Sequence, residues 1–227
     1  LTNEDKDRVI KIKDMYVDMG MCSEDLKKLV KVGDAISFYS CASNMLNNNF
    51  SSRCMDNRVG IMSSILMLEE LQNINHSHNV VVAFNVQEEV GLRGAIMSAY
   101  NINPDAAIVI DACHGDMKGS TKSQTAQLGK GPCISIGPNI NKNIENQLLK
   151  LCEIENIPHS ILVEPGNTGT EAWAIQVARQ GIPTGLISVP VRYMHTPVEV
   201  ANYLDIRNTA KLLVKFVCSF KQEEELL

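Results

Sequence analysis

Val80-Val81-Val82-Ala83-Phe84-Asn85-Val86 runs directly into Gln87-Glu88-Glu89-Val90-Gly91-Leu92-Arg93-Gly94. The first seven residues are mostly β-branched and apolar at strand length, the pattern of a parallel strand buried on both faces. Two carboxylates stand where that strand should end, and Gly91 and Gly94 permit a tight exit into a helix. Ligands of open α/β sheets bind beyond the carboxyl ends of strands, so Glu88 and Glu89 occupy the place where chemistry would sit. On its own, a Glu-Glu pair at a strand end is more often solvated surface.

The same alternation continues on both sides of this stretch. Upstream, Asp56-Asn57-Arg58 opens a helix whose Met62, Ile65, Leu66 and Leu68 recur near helical period. Downstream, a helix over 90–100 and the turn Asn103-Pro104 lead to a second apolar strand, 106–110, which ends in Asp111. Strands are then expected over 133–136, 159–163 and 184–189. Helices are expected after Asn143, read as a cap, over 171–180 with its stop at Gly181 and Pro183, and through Thr209, Leu212, Leu213, Phe216, Val217 and Phe220. The Glu-rich end beyond should fray. Strand–helix alternation of this kind predicts an α/β fold, a mostly parallel or mixed sheet with helices on both faces.

Residues 1–52 differ in texture. Short strands over 15–20 and 35–39 and a helix start at Ser23-Glu24-Asp25 suggest part of a β-rich lid or assembly domain, ahead of a catalytic domain over 53–227. The chain opens on Leu1 and a charged stretch, which reads as a piece of something longer.

Composition removes several function classes. A net charge of −5 offers no basic stripe for a phosphate backbone, so nucleic acid is not an expected partner. The longest apolar runs are strand-sized, which argues against a membrane span. Seven cysteines with no Cys-x-x-Cys pair point to reduced thiols and a cytoplasmic setting. Gly129-Lys130-Gly131-Pro132 lacks the spacing of a phosphate loop. His76 and His78 read as loop residues, and Cys113, His114 and Asp116 as loop residues shaping a site.

Four carboxylates and one imidazole remain at separate element junctions: Asp56, Glu88, Glu89, Asp111 and His195. Brought together they would be a costly cluster of like charge unless a cation neutralised it. An oxygen-rich set with one nitrogen suits hydrolytic Zn²⁺, Co²⁺ or Mn²⁺ better than a structural zinc site. Successive side chains on an extended backbone point oppositely, so one of Glu88 and Glu89 can bind metal while the other stays free as a base.

Asp56-Asn57-Arg58, 87–94, Gly166-Asn167-Thr168-Gly169-Thr170-Glu171-Ala172-Trp173 and Arg192-Tyr193-Met194-His195-Thr196-Pro197 resemble the motifs of the glutamyl and tetrahedral aminopeptidase family, co-catalytic metallopeptidases of clan MH. The similarity runs from about residue 12 to 218, with the motifs in family order. It implies a three-layer zinc-peptidase-like fold with part of a small β-barrel lid, and two divalent metal ions, Zn²⁺ or Co²⁺, with Mn²⁺ as the alternative. By this resemblance Asp56 bridges the two metals, Glu89 and His195 complete one site and Asp111 serves the other. The resemblance further implies an aminopeptidase that hydrolyses N-terminal residues from peptide substrates, with Glu88 as the general base that takes a proton from water. The resemblance also implies a cis peptide bond after Asp56, and a homo-oligomer ranging from dimer to dodecamer in the full-length form.

One departure is plain. The family's His-x-Asp segment, whose histidine is the fifth ligand, does not precede Asp56 in these residues. An N-terminally truncated fragment is therefore expected, with one metal site nearly complete and the other short of a ligand. Three rival readings follow: an inactive remnant, an endoglucanase, and another amide hydrolase of the clan. An endoglucanase would need two carboxylates roughly 5–9.5 Å apart across a glycosidic bond, which adjacent glutamates do not obviously supply.

Overall fold

The computed structural model describes residues 10–219. Two compact units are present, Leu1–Phe38 and Tyr39–Leu227.

In the first unit the only regular elements among the described residues are a 3₁₀ turn, Ile12–Asp14, and helix α1, Ser23–Leu29. Glu24 and Asp25 in the first turn of α1 and Lys27 and Lys28 in the last complement its dipole. The strands expected over 15–20 and 35–39 are not formed. Both segments are mostly exposed, with Tyr16, Ile36 and Phe38 turned to solvent, and strand propensity without a ladder partner is not enough to form a strand.

The second unit is a seven-stranded mixed sheet with helices on both faces. In chain order its elements are β1 (Ser43–Asn44), β2 (Asn49–Ser52), α2 (Met55–Leu71), α3 (Arg93–Ile102), β3 (Ala107–His114), β4 (Cys133–Ile136), α4 (Lys142–Ile154), β5 (Ser160–Val163), α5 (Ala172–Ile175), β6 (Thr184–Arg192), β7 (Glu199–Asn202) and α6 (Tyr203–Ser219). β6 is the hub. It runs parallel to β3 from Ala107↔Thr184 to His114↔Val191, and antiparallel to β4 at Ile187 and Ser188 and to β7 at Val191 and Arg192. β7 in turn pairs with β2, and β2 with β1.

Burial alternates along the strands as a two-sided sheet requires. Ile108, Ile110, Ile134 and Ile187 pack against Leu148 and Ile144 of α4 and Leu212 and Leu213 of α6. Val109 and Leu186 turn the other way, onto Ala95 and Ala99 of α3 and Ala172 of α5. A third cluster joins Met55 and Val59 of α2 to Val189, Val191 and Ala201. At Gly60 a Cβ would collide with Ile110 O and the Asn57 side chain, so α2 lies against β3 only because that position is bare.

Several sequence expectations change. The Val80–Val86 stretch belongs to no strand, and Val81, Phe84 and Val86 are exposed. Its composition suits a buried strand, but among the described residues it has no ladder partner, and β3 pairs with β6 alone. The helix expected over 171–180 shortens to α5, four residues long. The cap of α4 is Asn141, whose side chain accepts from the amides of Asn143 and Ile144, two residues before the expected cap. β7 was not anticipated, because four residues with mixed polarity carry no alternation signal. The fraying Glu-rich end lies outside the described residues.

Candidate active site

The acidic turn is built by its own backbone. Leu92 N–H donates to Glu88 O at 2.9 Å, Arg93 N–H to Gln87 O at 3.3 Å and Gly94 N–H to Val86 O at 3.0 Å, folding the chain back on itself before α3. A Cβ at Gly94 would sit 2.5 Å from Val86 O, so the closure requires glycine there. Glu88 is held half-buried at this turn, while Glu89 points out and is 62% exposed.

Asp56 arrives from the start of α2, and the peptide bond after it is cis. Asn57 Nδ2 donates to Ile110 O at 2.7 Å, and Asn57 Oδ1 accepts from Gly60 N–H, so the residue after Asp56 is tied to the strand residue before Asp111. His195 comes from the turn between β6 and β7. Its Nε2 lies 3.0 Å from Asp56 Oδ2 and 3.4 Å from Glu89 Oε1. Donor atoms of Asp56, Glu89 and His195 all fall within 4.8 Å of one another, and they form the only such group of three among the described residues. Two carboxylate oxygens and one imidazole nitrogen at this spacing are a donor set that can hold a divalent cation.

Asp111 and Glu88 stand outside that triplet but line the same cavity of about 780 Å³, together with Asp56, Glu89 and Glu171. Asp111 is buried on β3, and its own neighbour Ala112 donates to Oδ1 at 2.8 Å. Burial pushes its pKa up to about 8, against the help of that amide, and the charges of Asp56, Glu88 and Glu171 add to the rise. Asp56 is raised by burial and by Glu89, with His195 opposing. Glu88 is raised by burial, then by Glu89, Asp56 and Glu171. The carboxyl groups gathered here repel one another, and the imidazole of His195 contacts two of them, Asp56 and Glu89.

Glu171 is the residue that sequence reading passed over. It lies at the start of α5, anchored by Asn85 Nδ2 at 2.8 Å, and burial raises its pKa against that hydrogen bond. The loop Thr168-Gly169-Thr170 before it marked a turn, and nothing in the spacing marked its direction. Cys113, His114 and Asp116 do not join the donor group. Cys113 Sγ lies 3.5 Å from Cys133 Sγ, and Asp116 pairs with Arg192 at 2.6 Å. The amides of Gly129 and Gly131 donate to Asp205 at 2.7 Å, so that glycine loop is spoken for.

Solved structures share this fold. An aminopeptidase from the archaeon Desulfurococcus kamchatkensis superposes with TM-score 0.86 at 33% identity, over 97% of this chain and 64% of that one. The TET1 peptidase of Pyrococcus horikoshii, described as assembling into a tetrahedron or a large octahedral shell, superposes with TM-score 0.81 at 28% identity, over 97% of this chain and 66% of that one. The architecture is thus that of solved aminopeptidases. The chain belongs to the M42 glutamyl aminopeptidase family, whose profile matches residues 1–212. Among curated relatives, a putative aminopeptidase of Acetivibrio thermocellus is 34% identical over 92% of this chain and 63% of its own length. A lysyl aminopeptidase of Pyrococcus furiosus is 31% identical over 93% and 62% respectively. The chain spans somewhat under two thirds of the length of these relatives. Among the described residues no helix is long and apolar enough to cross a membrane.

Proposed function

We propose that these residues form most of the active site of a metal-dependent aminopeptidase. The observation that carries this reading is the convergence of Asp56, Glu89 and His195, from three distant parts of the chain, to within 4.8 Å. Asp56, Glu89 and His195 would hold one divalent cation, Zn²⁺ or Co²⁺, and Asp111 with Asp56 would face a second. When bound, such cations supply Lewis acidity to a peptide carbonyl and to water.

The chain's own groups do the rest. Glu88 is left free of the donor triplet, and its raised pKa brings its carboxylate closer to neutral pH as a proton acceptor and donor. It takes a proton from water and passes it to the leaving amine. The surplus of carboxyl groups around the cavity, Glu171 included, favours a substrate bearing a free α-ammonium and so an exopeptidase. We assign residues 1–38, rather than 1–52, to a lid or assembly module, because β1 and β2 are strands of the main sheet, and a homo-oligomer is the expected state. Free thiols at all seven cysteines accord with a cytoplasmic enzyme.

The test is hydrolysis of aminoacyl p-nitroanilides by protein loaded with Co²⁺ or Zn²⁺, beside N-blocked anilides and a soluble cellulose derivative. Release from free-amine substrates alone supports the reading. Turnover of the blocked anilide or the cellulose derivative overturns it. Metal binding without any turnover identifies the 227 residues as an incomplete active site.

A further inference from the structure

Glu199 is a charged residue with 2% exposure, four residues after His195, and the proposed chemistry gives it no task. Both of its carboxylate oxygens accept backbone N–H groups. Oε2 accepts from Met55 at 2.5 Å and, more weakly, from Asp56 at 3.4 Å, while Oε1 accepts from His195 at 2.6 Å. The two sides of one carboxylate therefore hold the two backbone segments that deliver Asp56 and His195.

The sheet explains why this residue can do so. β7 lies between β2 and β6, and those are the strands that lead into Asp56 and into His195. Glu199 opens β7 opposite Ser52, the last residue of β2, while Val200 faces Arg192, the last residue of β6. Its carboxylate thus reaches both strand exits at once. Each exit also contains a non-glycine residue with left-handed φ, Cys54 at 56° and His195 at 64°, conformations that persist only where surrounding contacts hold them. Charge-assisted bonds from a buried carboxylate are contacts of the needed strength. Glu199 also contributes charge near Asp56, but its own oxygens are occupied by amides and it is no part of the donor triplet.

We propose that Glu199 is a positioning residue: it clamps the Asp56 and His195 backbones to each other and so sets the spacing of the two side chains across the cation site. This inference rests on the metal-site reading above, and the experiment separates the two. Glu199→Gln keeps the shape and one acceptor oxygen but turns an NH₂ group toward a backbone donor. Glu199→Ala removes the clamp. Both are titrated with Co²⁺ by calorimetry and by visible absorption, after thermal melts of the metal-free proteins.

The expected order of Co²⁺ affinity is wild type, then Glu199→Gln, then Glu199→Ala, with at least a tenfold loss at Gln. The absorption bands at saturation should shift, which a merely structural role would not cause. Equal affinity and identical bands in folded variants overturn the proposal. Should wild type bind no Co²⁺, the metal reading fails and the clamp is judged by amide hydrogen exchange alone. Protected Met55 and His195 amides in wild type, exchanging at least tenfold faster in Glu199→Gln, uphold it. Exchange at unprotected rates in wild type sinks it, and that measurement needs no variant to fold.

Discussion

Val80–Val86 and β3 are two apolar stretches of similar composition, and each delivers acids to one cavity. β3 pairs with β6 along its length, packs on both faces and buries Asp111. The 80–86 stretch has no ladder among the described residues, and it leads to Glu89, which remains exposed. A strand pinned by a ladder can hold a carboxyl group in a poorly hydrated place and raise its pKa to about 8. A segment without a ladder leaves Glu89 near water and Glu88 only half-buried, and their geometry depends on contacts beyond a ladder: His195 for Glu89, and for Glu88 the turn that carries it. Backbone pairing, more than composition, separates the two.

The most severe break of this comparison is at Glu88. In metal-loaded, active protein, Glu88→Gln should lower kcat by about 10²–10⁴-fold while leaving metal stoichiometry unchanged, as expected when a proton-transfer group is lost. Retained turnover on aminoacyl anilides would remove Glu88 from the chemistry. Next comes the partner of Glu89. His195→Ala leaves two carboxylates without their nitrogen donor, and Co²⁺ affinity by calorimetry should fall by at least about a hundredfold. Unchanged affinity would show that the exposed acids need no imidazole.

The buried side of the comparison is read by pH. Asp111 has a folded pKa of about 8 against an ordinary value of 3.8, so the folded protein binds the extra proton between them. Its contribution to stability is complete below about pH 4 and is lost as pH rises through 8, with a slope approaching about 1.4 kcal/mol per pH unit. In metal-free Asp111→Asn the decline should vanish from denaturant midpoints measured between about pH 7 and 8, above Asp205, which burial lifts only to about 6. Divalent cation added to wild type should flatten it as well, because binding expels the proton. The smallest effect contrasts the stretches themselves. Val109→Ala on β3 should cost about 1.5–3 kcal/mol, whereas Val81→Ser, at a site 63% exposed, should stay within about 0.5 kcal/mol. Equal costs in urea titrations would show that the unpaired stretch is as well packed as the strand.

Much of the sheet was legible because periodicity reports burial directly. Cys133–Ile136 matches the expected strand at both ends, and the helices that pack on the sheet carry their apolar residues at helical spacing. The misses share one cause. Strand existence at 15–20, 35–39 and 80–86 depends on a partner that local composition does not reveal. β7 went unseen for the complementary reason: its partners β2 and β6 make it a strand, although its sequence Glu199-Val200-Ala201-Asn202 does not announce one. Glu171 and Glu199 escaped because a lone glutamate looks like surface until its direction is known.

The order of motifs, the acids at element ends and the family they resemble were all set by the linear chain, since residue type and spacing alone determine which groups can bind a cation or move a proton. Which of those groups meet was decided only in three dimensions. Asp56, Glu89 and His195 converge while Asp111 sinks into the sheet and Glu199 grips both strand exits. The distances responsible come from strand register and backbone hydrogen bonds between segments up to about 140 residues apart, and no local pattern encodes them.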